Sequence, residues 1–381
     1  GAAVQALAQI GLSLNAFAWA GVAARDPASV LQPIVALNAA GRNATAQSTQ
    51  HAAQAALLGA PINNVAVRLL GQAADQRGDK AAARRLMALS NRLSRRDGVA
   101  QSWLINDAVS RGNAPDILRH YDALLRIYPQ ASGPLMQQLA TIIAVPAGRA
   151  ALRPYMVASN PWRDTLLGTA IGTLPDSGAL AQLVLASPQL PDTPGNRDFA
   201  AELTRRLAVE GHEGLLRRVY ARLPGGDARA ATTIDWAVNA AVDGYAPASW
   251  GLATDGNFGG ALRSIGTPPT TDLEGFAMPG TRGVVANKLV WMAPGRATLR
   301  WSVTERDVNR EAWANWQLRC GAKADGAVLG ESGNMFIPST ANSLSVTVPA
   351  HCPAVHAQLV VSGGDGRDPA RIVIGMIALS R

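Results

Sequence analysis

The side chains that most often carry catalysis are few and scattered in this chain of 381 residues. Five histidines occur, at positions 51, 120, 212, 351 and 356. They form no His-Glu-x-x-His metal site, and the chain has neither a Gly-x-Ser-x-Gly nucleophile turn nor a phosphate-binding glycine loop. Glu202, Glu210 and Glu213 could work as acid and base, but their spacing does not fix their geometry. We therefore expect a protein that is not an enzyme and that binds no metal or cofactor.

Basic residues outnumber acidic residues, and almost all of them are arginine. The formal net charge is +8 and the sequence pI is near 10.2. Residues 1–230 carry 23 basic and 15 acidic side chains, whereas residues 231–381 carry 12 of each. Only three basic residues are lysine, a usage that, with abundant alanine, is typical of a GC-rich bacterial genome. Because no helix-turn-helix, zinc-finger or RNA-binding signature accompanies the charge, we expect no nucleic acid partner.

Three of these arginines are spaced to share one face of a predicted helix over residues 80–95. Arg85, Arg92 and Arg96 follow i, i+7, i+11 spacing, so they could form a basic face that binds an anionic partner. The alternative is an ordinary solvated face. The leucines at positions 86, 89 and 93 form another face of the same helix, which we expect to pack inward.

The helices that must position this basic face repeat with a period of 34 residues. Gly78 and Gly112 are 34 residues apart, which is the tetratricopeptide period, and each lies between two amphipathic segments. The predicted pairs are 62–77 with 80–95 and 98–111 with 114–128. Further helical segments are predicted at 27–40, 46–58, 133–144, 147–158, 162–173, 178–187, 197–210 and 212–222. The pattern predicts a tetratricopeptide-like α-solenoid over residues 1–228.

The rest of the chain has the composition of a β domain. Six of the nine tryptophans and both cysteines follow residue 230. A Pro-Gly-Gly stretch at 224–226 separates the two compositions, so we place the domain boundary at 228/229. Alternating apolar residues predict strands at 284–291, 297–303, 316–320, 343–348, 358–361 and 371–379. Period-2 alternation indicates one buried and one wet face, so residues 229–381 should form an antiparallel β-sandwich.

Several short motifs in this half are similar to those of jelly-roll domains related to carbohydrate-binding modules. They are Asp243…Pro247…Trp250, Phe258-Gly259-Gly260, Ala293-Pro294-Gly295-Arg296-Ala297-Thr298-Leu299, Trp316…Cys320 and Val348-Pro349-Ala350-His351-Cys352-Pro353. The whole chain also resembles alphaproteobacterial tetratricopeptide proteins that carry such a C-terminal domain. This resemblance implies a jelly-roll fold, glycan binding and a role in the cell envelope or in exopolysaccharide metabolism.

Aromatic side chains and one polar loop are the candidate glycan contacts. Aromatic faces suit the apolar faces of sugars, which makes Trp313, Trp250 and Phe258 candidates for stacking. Trp313 is the best of these, because its surroundings are loop-like. Asp365 and Arg367 belong to a polar loop that could hold a sugar, although a plain turn is the alternative. Trp301 and Trp316 alternate with apolar residues, so we expect both in the core.

The two cysteines bear on the cellular compartment. Cys320 ends one predicted strand and Cys352 follows another, so a disulfide is expected, with two buried free thiols as the alternative. A disulfide indicates an oxidising compartment, such as the periplasm or the exterior. No cleavable signal is visible, and residues 2–24 read as an amphipathic or buried helix. A membrane anchor upstream of residue 1 remains open.

These patterns lead to one functional expectation and one alternative. We expect a non-enzymatic scaffold of the cell envelope, periplasmic or extracellular. Its helical repeats would bind a protein partner, and its β-sandwich would bind polysaccharide during exopolysaccharide synthesis, export or surface attachment. The alternative is a purely structural subunit of a secretion or surface complex, in which the sandwich mediates protein–protein contacts.

Overall fold

A computed structural model describes residues 44–381, apart from 130–131, 237–243, 266–269, 308–310, 324–325 and 339. Among these residues, eleven α-helices are followed by ten β-strands, which confirms the predicted order of an all-α part and an all-β part. The segments at 2–24 and 27–40, predicted to be helical, lie outside the described residues. The chain divides into two compact units, one ending at Thr173 and the other running from Leu174 to Arg381.

Seven of the eight described helices of the first unit lie close to their predicted bounds, and the segment predicted at 147–158 is helical only as far as Leu152. They are α1 (Ala46–Gly59), α2 (Asn64–Gln76), α3 (Lys80–Leu93), α4 (Gly98–Ser110), α5 (Ala114–Ile127), α6 (Ser132–Ile142), α7 (Pro146–Leu152) and α8 (Arg163–Thr173). Each of the first five follows a residue whose side-chain oxygen accepts a hydrogen bond from the first helical turn, namely Thr45, Asn63, Asp79, Asp97 and Asn113. Such caps satisfy backbone N–H groups that the helix itself leaves unpaired, and they fix where each helix begins.

The 34-residue period reappears in the hydrogen bonds that end α2 and α4. Gly78 and Gly112 adopt φ angles of 82° and 69°, the left-handed region that glycine enters without steric cost. Asp79 N donates to Ala74 O at 3.0 Å, and Asn113 N donates to Ala108 O at 2.9 Å, again 34 residues apart. Residues 63–94 and 97–128 are therefore two copies of one unit, in which two helices are joined by a short turn.

The buried face of α3 differs from the predicted one. Ala83, Met87 and Ser90 are buried, whereas Leu89 and Leu93 are exposed. The reason lies in α2, where Gly71 leaves room for the Met87 side chain: a Cβ on Gly71 would lie 3.2 Å from Met87. The expectation that the three leucines pack inward is therefore wrong. The face of α3 that carries Met87 packs against α2 instead, because Gly71 leaves room for the Met87 side chain.

The second unit contains three helices as well as all ten strands. The helices are α9 (Ser177–Ala186), α10 (Pro194–Glu210) and α11 (Glu213–Tyr220). Glu213, at the start of α11, accepts hydrogen bonds from Trp291 Nε1 through its carbonyl at 3.2 Å and from Ala322 N through Oε1 at 3.1 Å. The change from helix to strand lies near residue 228, but these contacts join the preceding helices to the strand-bearing unit.

The strands form two five-stranded antiparallel sheets. They are β1 (Gly251–Leu252), β2 (Phe258–Ile265), β3 (Thr270–Ala277), β4 (Arg282–Val290), β5 (Gly295–Asp307), β6 (Trp313–Cys320), β7 (Val328–Glu331), β8 (Ser343–Val348), β9 (Val355–Ser362) and β10 (Ala370–Ser380). Sheet 1 has the order β1-β4-β9-β6-β7, and sheet 2 has the order β2-β3-β10-β5-β8. Each of the six predicted strand segments falls on one of these strands.

Tryptophans dominate the core of the second unit. Trp236 and Trp250 have ring centroids 4.8 Å apart, and Trp250 and Trp316 have centroids 6.4 Å apart in an edge-on arrangement. All three are buried, as is Trp301. Aromatic pairs at these distances attract one another beyond the effect of burying their area. The core assignment of Trp301 and Trp316 therefore agrees with the structure.

A disulfide joins the end of β6 to the segment that follows β8. Cys320 and Cys352 are bonded, with Cα atoms 5.4 Å apart and a sequence separation of 32 residues. The predicted disulfide is thus present, and the alternative of two free thiols is not. No helix in the described part of the chain combines the length and the apolar character that a membrane crossing needs.

Candidate binding surfaces

The first unit carries a basic groove between α3, α4 and α5. Its volume is about 890 Å³. Six arginines line it, against two aspartates: Arg84, Arg92, Arg95, Arg111, Arg119 and Arg126 face Asp116 and Asp122. We call this feature the arginine groove. It exists because two copies of the helical unit stack side by side and bring arginines from separate helices together.

Part of this charge is held by ion pairs at the rim. Arg84 binds both carboxylate oxygens of Asp107, each at 2.7 Å, and Arg111 Nε adds a third contact at 2.9 Å. Burial by itself would raise the pKa of Asp107, but the hydrogen bonds from Arg84 and Arg111 outweigh it and lower that pKa. Asp107 therefore stays ionised and fixes two guanidinium groups at the groove.

Other guanidinium groups remain available to a ligand. Within the described ranges, Arg92 and Arg95 line the groove without forming an ion pair. Arg126 pairs with Asp122 through Nε at 2.9 Å, and Arg119 pairs with Asp116 through Nη2 at 3.0 Å. A guanidinium has five N–H donors, so these pairs leave donors for a second carboxylate.

A buried histidine forms part of the groove wall without adding charge. His120 Nδ1 lies 2.6 Å from Gln101 Oε1, and its Nε2 lies 3.4 Å from Arg119 Nη2. Burial, together with the nearby charge of Arg119, lowers the pKa of His120 to about 4. Since the ring is neutral near pH 7, Nδ1 donates to Gln101 and Nε2 accepts from Arg119.

The groove overlaps only partly with the basic face expected from the sequence. Arg85, Arg92 and Arg96 are all exposed, but only Arg92 lines the groove. Arg96 lies beyond Leu93, where α3 ends, so helical spacing does not place it on a face with the other two. The prediction that the three arginines share one face is therefore wrong, because α3 ends before Arg96.

Two groove arginines that the spacing along α3 did not predict could have been found from the repeat period. Adding the 34-residue period to Arg85 and Arg92 gives Arg119 and Arg126, and both of these line the groove. A search for basic residues at the repeat spacing would have found them. A search along one helix could not, because the groove is built from neighbouring helices.

The candidate glycan contacts in the second unit have different surroundings. Trp250 is fully buried between Trp236 and Trp316, so its ring has no face open to a sugar and it is removed from the candidates. Phe258 is half-buried, and its ring covers Gly283 of β4. Trp313, at the start of β6, is 43% exposed and keeps its role as a candidate.

The polar loop between β9 and β10 is exposed, and its two candidate side chains are held by few contacts within the protein. Asp365 and Arg367 both face solvent in a turn that follows Ser362. Neither side chain takes part in an ion pair among the described residues. The turn closes through Gly280 N, which donates to Gly364 O at 2.7 Å. This arrangement is that of a connecting turn, and the two side chains remain candidates only by position.

The carboxylates considered as acid and base each have a separate partner. Glu202 pairs with Arg205 at 2.6 Å, Glu213 binds Ala322 N, and Glu210 binds Arg206 at 2.6 Å. Because each carboxylate is engaged by a different group, they do not form a shared acid–base pair.

One cluster in the second unit has donor atoms close enough to hold a cation. Oxygen and nitrogen atoms of Asp176, Glu210 and His212 lie within 4.8 Å of one another. Asp176 caps α9 through Gly178 N at 2.8 Å, and Glu210 accepts from Ser177 Oγ at 2.6 Å. Arg206 also pairs with Glu210 at 2.6 Å, and these contacts stabilise the start of α9.

No family model matches the chain, and no curated protein matches it.

Proposed function

We propose that this chain is a non-enzymatic, extracytoplasmic adaptor whose helical unit binds an acidic segment of a protein partner in the arginine groove. The observation that carries the proposal is the six arginines lining a concave surface of about 890 Å³. Guanidinium groups bind carboxylates in a bidentate manner, and Arg84 already does so with Asp107 inside the protein. A partner rich in Asp and Glu is the complementary ligand.

The location is proposed from the disulfide. Cys320 and Cys352 are bonded, and such bonds persist in oxidising compartments such as the bacterial periplasm or the cell exterior. The resemblance to tetratricopeptide proteins with a carbohydrate-binding-like domain supports an envelope process, namely exopolysaccharide synthesis, export or attachment. In this proposal the sandwich contacts the polysaccharide and Trp313 is part of the contact surface.

Peptide binding to the full chain tests the proposal. The probe is a fluorescein-labelled decapeptide of glutamate, measured by fluorescence anisotropy, with decaglutamine and decalysine peptides as controls. We expect binding of the glutamate peptide alone, with an affinity that falls as salt is raised from 50 to 300 mM, because screening weakens exposed charge pairs. Equal binding of the glutamine peptide would contradict a site selected by charge.

A further inference from the structure

A cavity opens on the second unit where α11 meets the end of β4. Its volume is about 480 Å³, within the range of about 300–1,000 Å³ that is typical of small-molecule sites. We call this feature the α11 cavity. Its apolar wall consists of residues 290–293, Pro353 and Leu379, and its polar wall consists of Arg217, Thr232 and Arg381.

The walls of the α11 cavity are held in place by the fold. Trp291 Nε1 donates to Glu213 O of α11 at 3.2 Å, and Trp291 N donates to Ala231 O at 3.0 Å. One tryptophan therefore fixes both the helix and the short turn that follows it. On the apolar side, Pro353 directly follows Cys352, which the disulfide anchors. Because hydrogen bonds and a disulfide hold these segments, the cavity is formed in the absence of a ligand.

The apolar wall leaves surface that the protein itself does not cover. Trp291 is 6% exposed. Met292 and Leu379 pack against the core of the second unit but are only partly buried, and Ala293 and Pro353 are exposed. Since removing apolar surface from water is favourable, an apolar group of a ligand would be stabilised at this wall.

The polar wall carries positive charge that no acidic side chain balances. Arg217 and Arg381 are exposed, and neither forms an ion pair within the described part of the chain. Glu213 lies one helical turn before Arg217, but its carboxylate accepts from Ala322 N at 3.1 Å. No acidic residue among the described ranges lines the cavity. A guanidinium can bind a carboxylate through two parallel hydrogen bonds, so a carboxylate is the complementary head group.

We propose that the α11 cavity binds a small amphipathic carboxylate, whose charged group pairs with Arg217 and whose apolar body lies against Met292 and Leu379. Arg381 supplies a second guanidinium at the same end of the ligand. This inference goes beyond the proposed function, because it assigns a small-molecule site to the second unit. An uncharged ligand of the same shape would leave the arginines without an ionic partner, and a cation would be repelled by them.

Calorimetry on the full chain with matched eight-carbon probes tests the ligand class. The probes are octanoate, 1-octanol and octyltrimethylammonium, and acetate serves as a head group without an apolar body. We expect octanoate to bind at least tenfold more tightly than each of the other three. The alcohol and the ammonium ion lack the carboxylate that the arginines would bind, and acetate lacks the body that the apolar wall would cover.

Two variants of α11 locate the site. Arg217→Gln removes the arginine of the cavity, whereas Arg218→Gln removes its exposed neighbour, which does not line the cavity. Both lie in the last turn of α11 and change the net charge equally. We expect Arg217→Gln to weaken octanoate binding at least tenfold, the effect of losing a hydrogen bond between charged groups. Arg218→Gln should weaken it less than twofold.

Two results would overturn this inference. One is that octanoate fails to bind, or binds no more tightly than 1-octanol. The other is an equal loss of octanoate affinity in the two variants, both of which should fold because the replaced side chains are exposed. Octanoate probes the second unit and the glutamate peptide probes the first, so this proposal and the arginine groove can fail independently.

Discussion

Asp97 combines two stabilising roles that the repeat allows to be separated. Its Oδ1 caps α4 by accepting from Ala100 N at 3.1 Å and also accepts from Arg68 Nη1 at 2.9 Å. Its Oδ2 accepts from Ser90 Oγ at 3.1 Å. Asn63, 34 residues earlier, caps α2 in the same way through Ala66 N at 3.1 Å and, being neutral, forms no ion pair. The two positions therefore differ by a buried charge pair.

The expected magnitudes differ accordingly. Loss of a cap costs about 1 kcal/mol, and this is the cost that we predict for Asn63→Ala. The Arg68 and Asp97 side chains are 10% and 1% exposed. Removing one partner of a buried pair leaves an uncompensated charge and costs about 3–5 kcal/mol. We therefore predict a loss of about 3–5 kcal/mol in the free energy of unfolding for Asp97→Ala.

Urea denaturation followed by circular dichroism at 222 nm measures these losses. Asp97→Asn keeps a capping oxygen and removes the charge, so it should fall between the two alanine variants. Arg68→Met in the Asp97→Ala background should recover part of the loss, because it removes the unpaired charge. The reasoning is refuted if Asp97→Ala and Asn63→Ala lower the free energy of unfolding by the same amount.

Three other features give measurable outcomes. Replacing Cys320 and Cys352 by serine should lower the free energy of unfolding by about 3–4 kcal/mol, from the chain entropy of a loop of this length. Dithiothreitol should cause the same loss in the wild type but none in the variant. Burial lowers the folded pKa of His120 to about 4, whereas an unfolded histidine titrates near 6.5. Stability should therefore be complete above about pH 6.5 and fall toward pH 4, with a shallower fall for His120→Gln; equal slopes in urea titrations across this range would contradict the assignment. Trp250→Ala should cost about 3–5 kcal/mol because it opens a cavity in the core, and Trp313→Ala should cost less than about 0.5 kcal/mol. Comparable losses measured by thermal unfolding would contradict the different burial of these two rings.

The helices could be predicted closely because their ends are local. Asp79 and Asn113 cap the helices that follow them, and Gly78 and Gly112 end the helices before them. These signals need only a few neighbouring residues. The inward face of α3 could not be predicted in this way, because it depends on the space that Gly71 leaves in another helix.

The strands show a similar division. β8 was predicted with its observed bounds, since Leu344, Val346 and Val348 alternate with polar residues. The pattern does not predict β2 and β3, where glycines and charged residues such as Arg263 and Glu274 interrupt the apolar alternation. Their register becomes visible only in the sheet, where Ala261 is opposite Glu274.

The candidate sites depend most on tertiary structure. Composition indicated that aromatic residues matter in the second half, but it could not separate the buried Trp250 from the exposed Trp313. The arginine groove needs two helical units to be stacked before Arg92 and Arg126 line one surface.

A comparison of two charge-reversed proteins tests the arginine groove most directly. One carries Arg92→Glu with Arg95→Glu, which lie in the groove, and the other carries Arg85→Glu with Arg96→Glu, which are exposed but outside it. Both have the same net charge and composition. Fluorescence anisotropy with the decaglutamate peptide should show at least a tenfold loss of affinity for the first protein and less than a twofold loss for the second. Equal losses in the two would mean that the peptide responds only to net charge, and this would contradict the groove as the binding site.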